Sequence, residues 1–269
     1  MESCILITRL DLLNYWKKDY KRVYFGSEFC SHLIPEKEDL NMLLDFVQKR
    51  DLSLSLVSGY ATNREIKKYE GLLEILIKRK INAELIINDW GVFELSRNFA
   101  VIPVLGRLLT RQKKDPQILK IFNKLPAITK KRYQAIALNE KFYEFLKEKG
   151  IKRIEIDNLF QGIDLGDMGY DLSFSLYTPY AYLTTTRLCP SNAINNRPAK
   201  ALKIPFTCTK DCQDRHIVIR HVNMPYLLIL KGNTIFYRQD SIDEACKDKR
   251  IDRLIFQPSF AEKGKGQCF

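Results

Sequence analysis

Short apolar, β-branched runs alternate along the chain with stretches whose apolar residues recur at helical spacing. Cys4–Thr8 (C-I-L-I-T), Arg22–Phe25 (R-V-Y-F), Leu52–Val57, Ala83–Ile87 (A-E-L-I-I) and Val101–Val104 read as the first five strands. Arg153–Ile156 (R-I-E-I) and Leu172–Leu176 (L-S-F-S-L) read as the sixth and seventh, and Arg253–Phe256 (R-L-I-F) as the last. Between them the pattern predicts helices at Asp11–Asp19, Asp39–Lys49, Ile66–Arg79, Trp90–Asn98 and Asn139–Lys149, with Gly150 stopping the last. Leu40, Leu43, Leu44 and Val47 show the helical spacing clearly. The charged middle, Arg107–Arg132, reads as a loop with helices, and Tyr226–Tyr237 as a β-hairpin turning on Lys231-Gly232-Asn233.

Short strands interleaved with helices imply parallel βα units. About eight of them predict an α/β fold, a (β/α)8 TIM-like barrel. Several of the helices are short, so an incomplete barrel and a doubly wound open sheet stay open as variants. The chain reads as a single barrel-like domain over residues 1–269. Residues 183–240 read as an insertion, a Cys-bearing loop after the seventh strand followed by the late hairpin. Lys263–Phe269 reads as a mobile tail. In a TIM barrel the C-terminal strand ends face the active site. That makes Glu28, Asn88, Asp89, Arg107 and Asp157 candidates to face a substrate, although each residue type also suits plain turn capping.

Composition narrows the class. With 45% hydrophobic and 28% charged residues the chain suits a globular protein. No apolar run approaches the roughly 20 residues of a membrane span, and no secretion signal opens the sequence. The expected location is cytoplasmic. The net charge is +12, with basic clusters at Lys17, Lys18, Lys21 and Arg22, at Lys78, Arg79 and Lys80, at Arg107, Arg111, Lys113 and Lys114, and at Lys130, Lys131 and Arg132. These suit an RNA or anionic-substrate surface, or simply solvated helix faces.

The seven Cys are unevenly spaced, unlike a secreted disulfide framework. Cys208 and Cys212 form a C-x3-C pair in T-C-T-K-D-C-Q-D, with Cys189 before it and Cys30 near the N-terminus. Cys30 lies a few residues past the second strand, and the other three follow the seventh. All four therefore fall on the same mouth of a barrel. Thiolates are soft ligands, suited to an iron–sulfur cluster or to zinc. Zinc knuckles usually show two close pairs, and one is present here. Spacing alone leaves three readings: a four-thiol iron–sulfur cluster, a Cys4 zinc site, or unconnected buried thiols. Cys4 reads as core, and Cys246 and Cys268 are not assigned to a metal.

Several segments resemble a known family. Val23–Leu33 (V-Y-F-G-S-E-F-C-S-H-L), Leu85–Gly91 (L-I-I-N-D-W-G), Tyr180–Cys189 (Y-A-Y-L-T-T-T-R-L-C) and the following C-x3-C resemble UbiV-like members of the collagenase-like peptidase family, in the same order over nearly the whole chain. The resemblance implies a barrel-like fold with a [4Fe–4S] cluster on Cys30, Cys189, Cys208 and Cys212. It further implies oxygen-independent hydroxylation in anaerobic ubiquinone synthesis, on a small aromatic or quinone-like substrate, with a sister family member as heterodimer partner. Family members that hydroxylate RNA imply an RNA-modifying alternative, and a non-enzymatic cluster-carrying subunit is a further reading. No G-x-S-x-G or H-E-x-x-H motif occurs, and the three His form no triad or metal spacing, which argues against a peptidase. Two features depart from the family pattern. Gly106–Arg111 places Arg107 and Arg111 where small and Asn-rich residues are usual, so that these arginines would meet an anionic group in the mouth. The gap between Cys189 and Cys208 is also longer than the family's.

Overall fold

The computed structural model describes residues 1–115, 117–136, 138–166, 171–195, 208–222, 224–242, 245–260 and 267–268. The strands are β1 (Glu2–Ile7), β2 (Arg22–Gly26), β3 (Ser53–Val57), β4 (Ala83–Ile87), β5 (Ile102–Leu105), β6 (Arg153–Asp157), β7 (Ser173–Thr178), β8 (Tyr180–Thr185), β9 (Ile217–Ile219), β10 (Leu228–Lys231), β11 (Thr234–Arg238), β12 (Ile251–Phe256) and β13 (Gln267–Cys268). The helices are α1 (Lys37–Lys49), α2 (Asn63–Lys78), α3 (Trp90–Ser96), α4 (Arg107–Thr110), α5 (Ala127–Gln134), α6 (Glu140–Glu148) and α7 (Pro190–Asn195).

Eight parallel strands close a barrel in the order β1-β12-β7-β6-β5-β4-β3-β2. The fold is a (β/α)8 TIM-like barrel, closed in its strands and broken in its ring of helices. The β1–β2 link carries only a 3-10 turn, Leu10–Tyr15, where the apolar spacing predicts a helix over Asp11–Asp19. Arg9 offers no side-chain cap there, and the chain tightens to bonds such as Trp16 N to Leu13 O at 2.9 Å. The longer helices are better specified. α1 has Glu38 and Asp39 in its first turn and Lys49 in its last, complementing the helix dipole. It buries Leu40, Leu43, Leu44 and Val47 against the barrel, each contributing about 1.5–3 kcal/mol. Thr62 and Glu65 cap α2 reciprocally.

Side chains alternate across the barrel wall with the strand period of two. Ile5, Val23, Leu54, Leu85, Ile154 and Phe174 pack outward under the helices. Cys4, Leu6, Tyr24, Val57, Ile86, Val104, Tyr177 and Ile255 fill a small apolar layer inside. Polar layers lie on either side of it. At the N-terminal end Arg253 donates to Glu84 at 2.8 and 3.1 Å and to Glu2 at 2.6 Å. Burial opposes the charge of Arg253, but Tyr24, Glu84 and Glu2 hold it firmly protonated.

Between β7 and β12 the chain leaves the barrel and builds most of a second sheet, ordered β13-β9-β10-β11-β8. The expected hairpin is β10–β11, paired antiparallel from Ile229–Phe236 to Lys231–Thr234. The Tyr-rich segment before Cys189 is itself a strand, β8, paired with β11. Of the expected mobile tail, Gln267–Cys268 pair with Ile217–Val218, while 261–266 and 269 lie outside the described residues. This sheet covers the C-terminal mouth. Tyr180, Tyr182, Phe236 and Phe260 pack with Phe29 and Leu108, which follow β2 and β5. Among the described residues no helix is long and apolar enough to cross a membrane.

Candidate metal centre

β2 ends at Gly26, whose φ of 131° brings the chain so close to β3 that a Cβ would lie 2.4 Å from Val57 O. The chain then turns through Ser27, Glu28 and Phe29 to Cys30, which opens the 3-10 turn Ser31–Leu33. Burial pushes the Cys30 thiol up to about 11, against backbone amides at His32 and Leu33 that favour the thiolate. Cys189 precedes α7, and its carbonyl accepts from Ala193 N at 3.0 Å. Its thiol is also raised by burial, with the backbone amide of Asn192 opposing. Cys208 and Cys212 bracket Lys210, which takes φ 58°, a left-handed step that folds the pair back on itself. Cys212 sits in the turn Asp211–Gln213, and burial together with the Cys30 and Cys189 thiols pushes it up to about 12.

All four expected thiols line one pocket with Phe29, His32, Tyr60, Arg187, Gly232 and Asn233. The four thiols, from three segments distant in sequence, thus meet at the covered mouth of the barrel. Cys4 lies apart, buried inside the barrel, and the side chains of Cys246 and Cys268 lie outside the described residues. Among the described residues no three His, Cys, Asp or Glu side chains stand where a single metal ion could be held. A lone zinc needs its thiolates about 2.3 Å from one point. Thiolates of a four-iron cluster each bind a separate iron and need not converge on a point. The donor set is four soft thiols, of which Cys30, Cys189 and Cys212 are raised by burial and by the neighbouring thiols, and it suits a cationic thiophilic group that relieves both. The space among the thiols is about 60 Å³. An adjoining cavity between Cys30, Cys212, Lys231 and Gln257 is also about 60 Å³. An engineered apolar cavity of about 150 Å³ holds benzene, so each of these spaces is small beside an aromatic ring.

Beneath this pocket the mouth is plugged by ion pairs. Arg107 is fully buried and donates Nε to Glu28 at 3.0 Å and Nη1 to Asp157 at 2.7 Å, while Nη2 pairs with the second Glu28 oxygen. Its guanidinium lies 3.5 Å from the Tyr177 ring centroid. Burial opposes its charge, and Glu28 and Asp157 more than restore it. Lys114 pairs with the other Asp157 oxygen and lies 3.1 Å from the Tyr182 ring centroid. Burial pulls Lys114 down to about 8 although Asp157 supports its charge. Deeper still, Glu155 accepts from Tyr177 Oη at 2.5 Å, and its Oε1 has no partner. Burial, with Glu28 nearby, pushes Glu155 up to about 8.

The structure therefore brings three of the five substrate-facing candidates together, Glu28, Arg107 and Asp157. The anionic groups that Arg107 meets are the chain's own carboxylates. Asn88 is buried and braces the backbone, donating to Ser58 O at 2.8 Å and accepting from Leu108 N at 3.0 Å. Asp89 caps α3 by accepting from Gly91 N at 2.8 Å. Gln257, Tyr177, Tyr182 and Glu155 join the cluster without having been singled out in the sequence, and Lys114 stood there only in a basic cluster. Lys114 was masked by its place in the run Arg111-Gln112-Lys113-Lys114-Asp115, which reads as surface. Glu155 had a signal, a lone carboxylate alternating with Ile154 and Ile156 in a buried strand.

No family model and no curated protein matches this sequence. Among solved structures the chain is similar to a U32 peptidase, at 10% identity and TM-score 0.47, covering 99% of this chain and 94% of that one. It is also similar to a glycoside hydrolase family 18 N-acetylglucosaminidase from Paenibacillus barengoltzii, at 7% identity and TM-score 0.35, covering 95% and 94%. A third likeness is to SuiB of Streptococcus suis, at 17% identity and TM-score 0.33, covering 65% of this chain and 39% of that one. At these scores none of the three bears on function, which rests on the site.

Proposed function

We propose that this chain carries a [4Fe–4S] cluster on Cys30, Cys189, Cys208 and Cys212, and that it supports oxygen-independent hydroxylation of an aromatic, quinone-like precursor beside a sister subunit of the collagenase-like peptidase family. The observation that carries the cluster is the meeting of these four thiols, from separate segments, in one pocket. The family segments noted above, Val23–Leu33, Leu85–Gly91 and Tyr180–Cys189, support the hydroxylation reading.

A cluster with four thiolate ligands supplies one-electron chemistry rather than an open iron site. The chain's own residues set the surroundings. Phe29 packs against Tyr182 and Phe236 at centroid distances of 5.1 and 5.4 Å, and with Phe260 they shield the thiols from the barrel side. The Arg107–Glu28–Asp157 plug fills the mouth where a barrel enzyme would admit its substrate. A substrate would then meet the centre from the outer face, near His32, Tyr60 and Arg187, which line the thiol pocket. Such a site needs a second surface to enclose a ring, which favours a working partner over a self-sufficient enzyme.

Anaerobic purification followed by iron, acid-labile sulfide and zinc analysis tests the cluster. About four irons and four sulfides per chain support the reading, and a colourless zinc protein overturns it. Co-purification of a second family member tests the partner. The RNA-modifying alternative draws on one observation, the run from Arg111 to Lys131 in which Asp115 is the sole carboxylate. Salt-sensitive RNA binding by the purified chain would favour it.

A further inference from the structure

The hairpin turn between β10 and β11 is the point to which the cysteine-bearing segments are tied, and the tie runs through one side chain. Asn233 is buried, at 8% exposure. Its Nδ2 donates to Phe29 O at 2.6 Å, one residue before Cys30. The same Nδ2 donates to Thr186 O at 2.6 Å, on the segment that leads into Cys189. Its Oδ1 accepts from Thr234 Oγ1 at 3.2 Å, which fixes the amide's orientation. Its own carbonyl accepts from Thr186 N at 3.1 Å. The preceding Gly232 completes the set. Its carbonyl accepts from Ser191 N at 3.3 Å, just past Cys189, and its Cα faces Cys212, with a Cβ placed there falling 3.3 Å from Cys212 Sγ. Both Gly232 and Asn233 line the thiol pocket.

We propose that Asn233 is the positioning residue of the cysteine centre. It touches no ligand sulfur among the hydrogen bonds of the site. It acts through the backbone, holding the Cys30 and Cys189 segments at a fixed separation while its neighbour Gly232 seats Cys212. The chemistry requires an amide. Both hydrogens of one NH2 group are spent on two carbonyls that belong to segments far apart in sequence, and no hydroxyl or carboxylate can donate twice. Partners of this kind set ligand orientation, and their loss commonly costs 10–100-fold in affinity for the bound group. The inference rests on the cluster reading above.

Asn233→Asp is the discriminating variant, because it keeps the shape and removes both donors. Purified anaerobically, with the full chain and any co-purifying partner, it should lose iron to a chelator at least about tenfold faster than the wild type. Its reduced-state electron paramagnetic resonance signal should broaden or shift. Leu146→Ala is the control, a truncation of the buried residue of α6 that lowers thermal stability without touching the turn. It should leave the chelation rate and spectrum unchanged. Asn233→Ala should resemble Asn233→Asp. Asn233→Asp with a wild-type chelation rate and spectrum overturns the positioning role. So does Leu146→Ala speeding iron loss as much as Asn233→Asp, because the effect is then global stability. A wild-type chain without iron instead overturns the cluster reading. In that case the positioning role is read from maleimide labelling of Cys30 and Cys189 in the metal-free chain, where Asn233→Asp should speed labelling of both several-fold, and unchanged labelling overturns it.

Discussion

Arg107→Met is the perturbation whose size the structure defines best. Arg107 has 0% side-chain exposure and faces Glu28 and Asp157, at 1% and 0%. Removing it leaves Glu28 buried without its guanidinium, while Asp157 keeps Lys114. Exposed ion pairs contribute about 0–1 kcal/mol, but breaking a buried one from one side costs about 3–5 kcal/mol because a charge is left unpaired. Retention of Lys114 places the expected loss toward the lower end of that range. Lost packing on Tyr177 adds to it. At about 2–4 °C per kcal/mol for a chain of this size, the melting temperature should fall by roughly 6–20 °C. Guanidinium unfolding at pH 7.5 gives the free energy directly, and the Glu28→Gln/Arg107→Met double variant gives the coupling. The double variant should be more stable than Arg107→Met alone, because the stranded carboxylate is gone. Arg107→Met within about 1 kcal/mol of the wild type, or a double variant no better than the single, would refute the plug as a paired buried cluster.

Three further outcomes follow from the same geometry. Glu155 is held above its ordinary value of 4.5, at about 8, so the folded chain keeps a proton that the unfolded chain has released. Its contribution to stability therefore falls as pH rises from near 4.5 to about 8. Urea midpoints across that window should fall less steeply in Glu155→Gln, and parallel slopes would count against the assignment. Gly232→Ala places a Cβ 3.3 Å from Cys212 Sγ at φ 64°, so it should cost about 1 kcal/mol or more and lower bound iron per chain. Lys114→Met should destabilise less than Arg107→Met, since Asp157 retains Arg107. Chemical denaturation that reverses this order would show that Asp157 depends on Lys114 instead.

Much of the barrel was legible because its strands obey a strict alternation. Ile154-Glu155-Ile156 and Leu85-Ile86-Ile87 carry outward apolar residues that only helices could cover. The convergence of Cys30, Cys189 and Cys212 was also legible, since barrel topology sends every strand's C-terminal end to one mouth. The second sheet was largely hidden. Tyr180–Thr185 reads as an aromatic lead-in to Cys189, and only pairing with Thr234–Arg238 makes it a strand. The plug was hidden for another reason. Glu28, Arg107 and Asp157 are strand-end residues of ordinary type, and sequence cannot say that they pair with one another across the mouth rather than with a ligand. Asn233 was visible as a turn residue, but its two long-range carbonyl partners exist only in the folded chain.

The central claim is that four thiols from three distant segments share one cluster, and Cys30 tests it most directly because it lies so far along the chain from the Cys208–Cys212 pair. Iron and sulfide should be measured per chain after anaerobic purification of the wild type, Cys30→Ala and Cys212→Ala. The account predicts about four irons in the wild type and loss of the cluster in both variants alike. Full iron content in Cys30→Ala would contradict it.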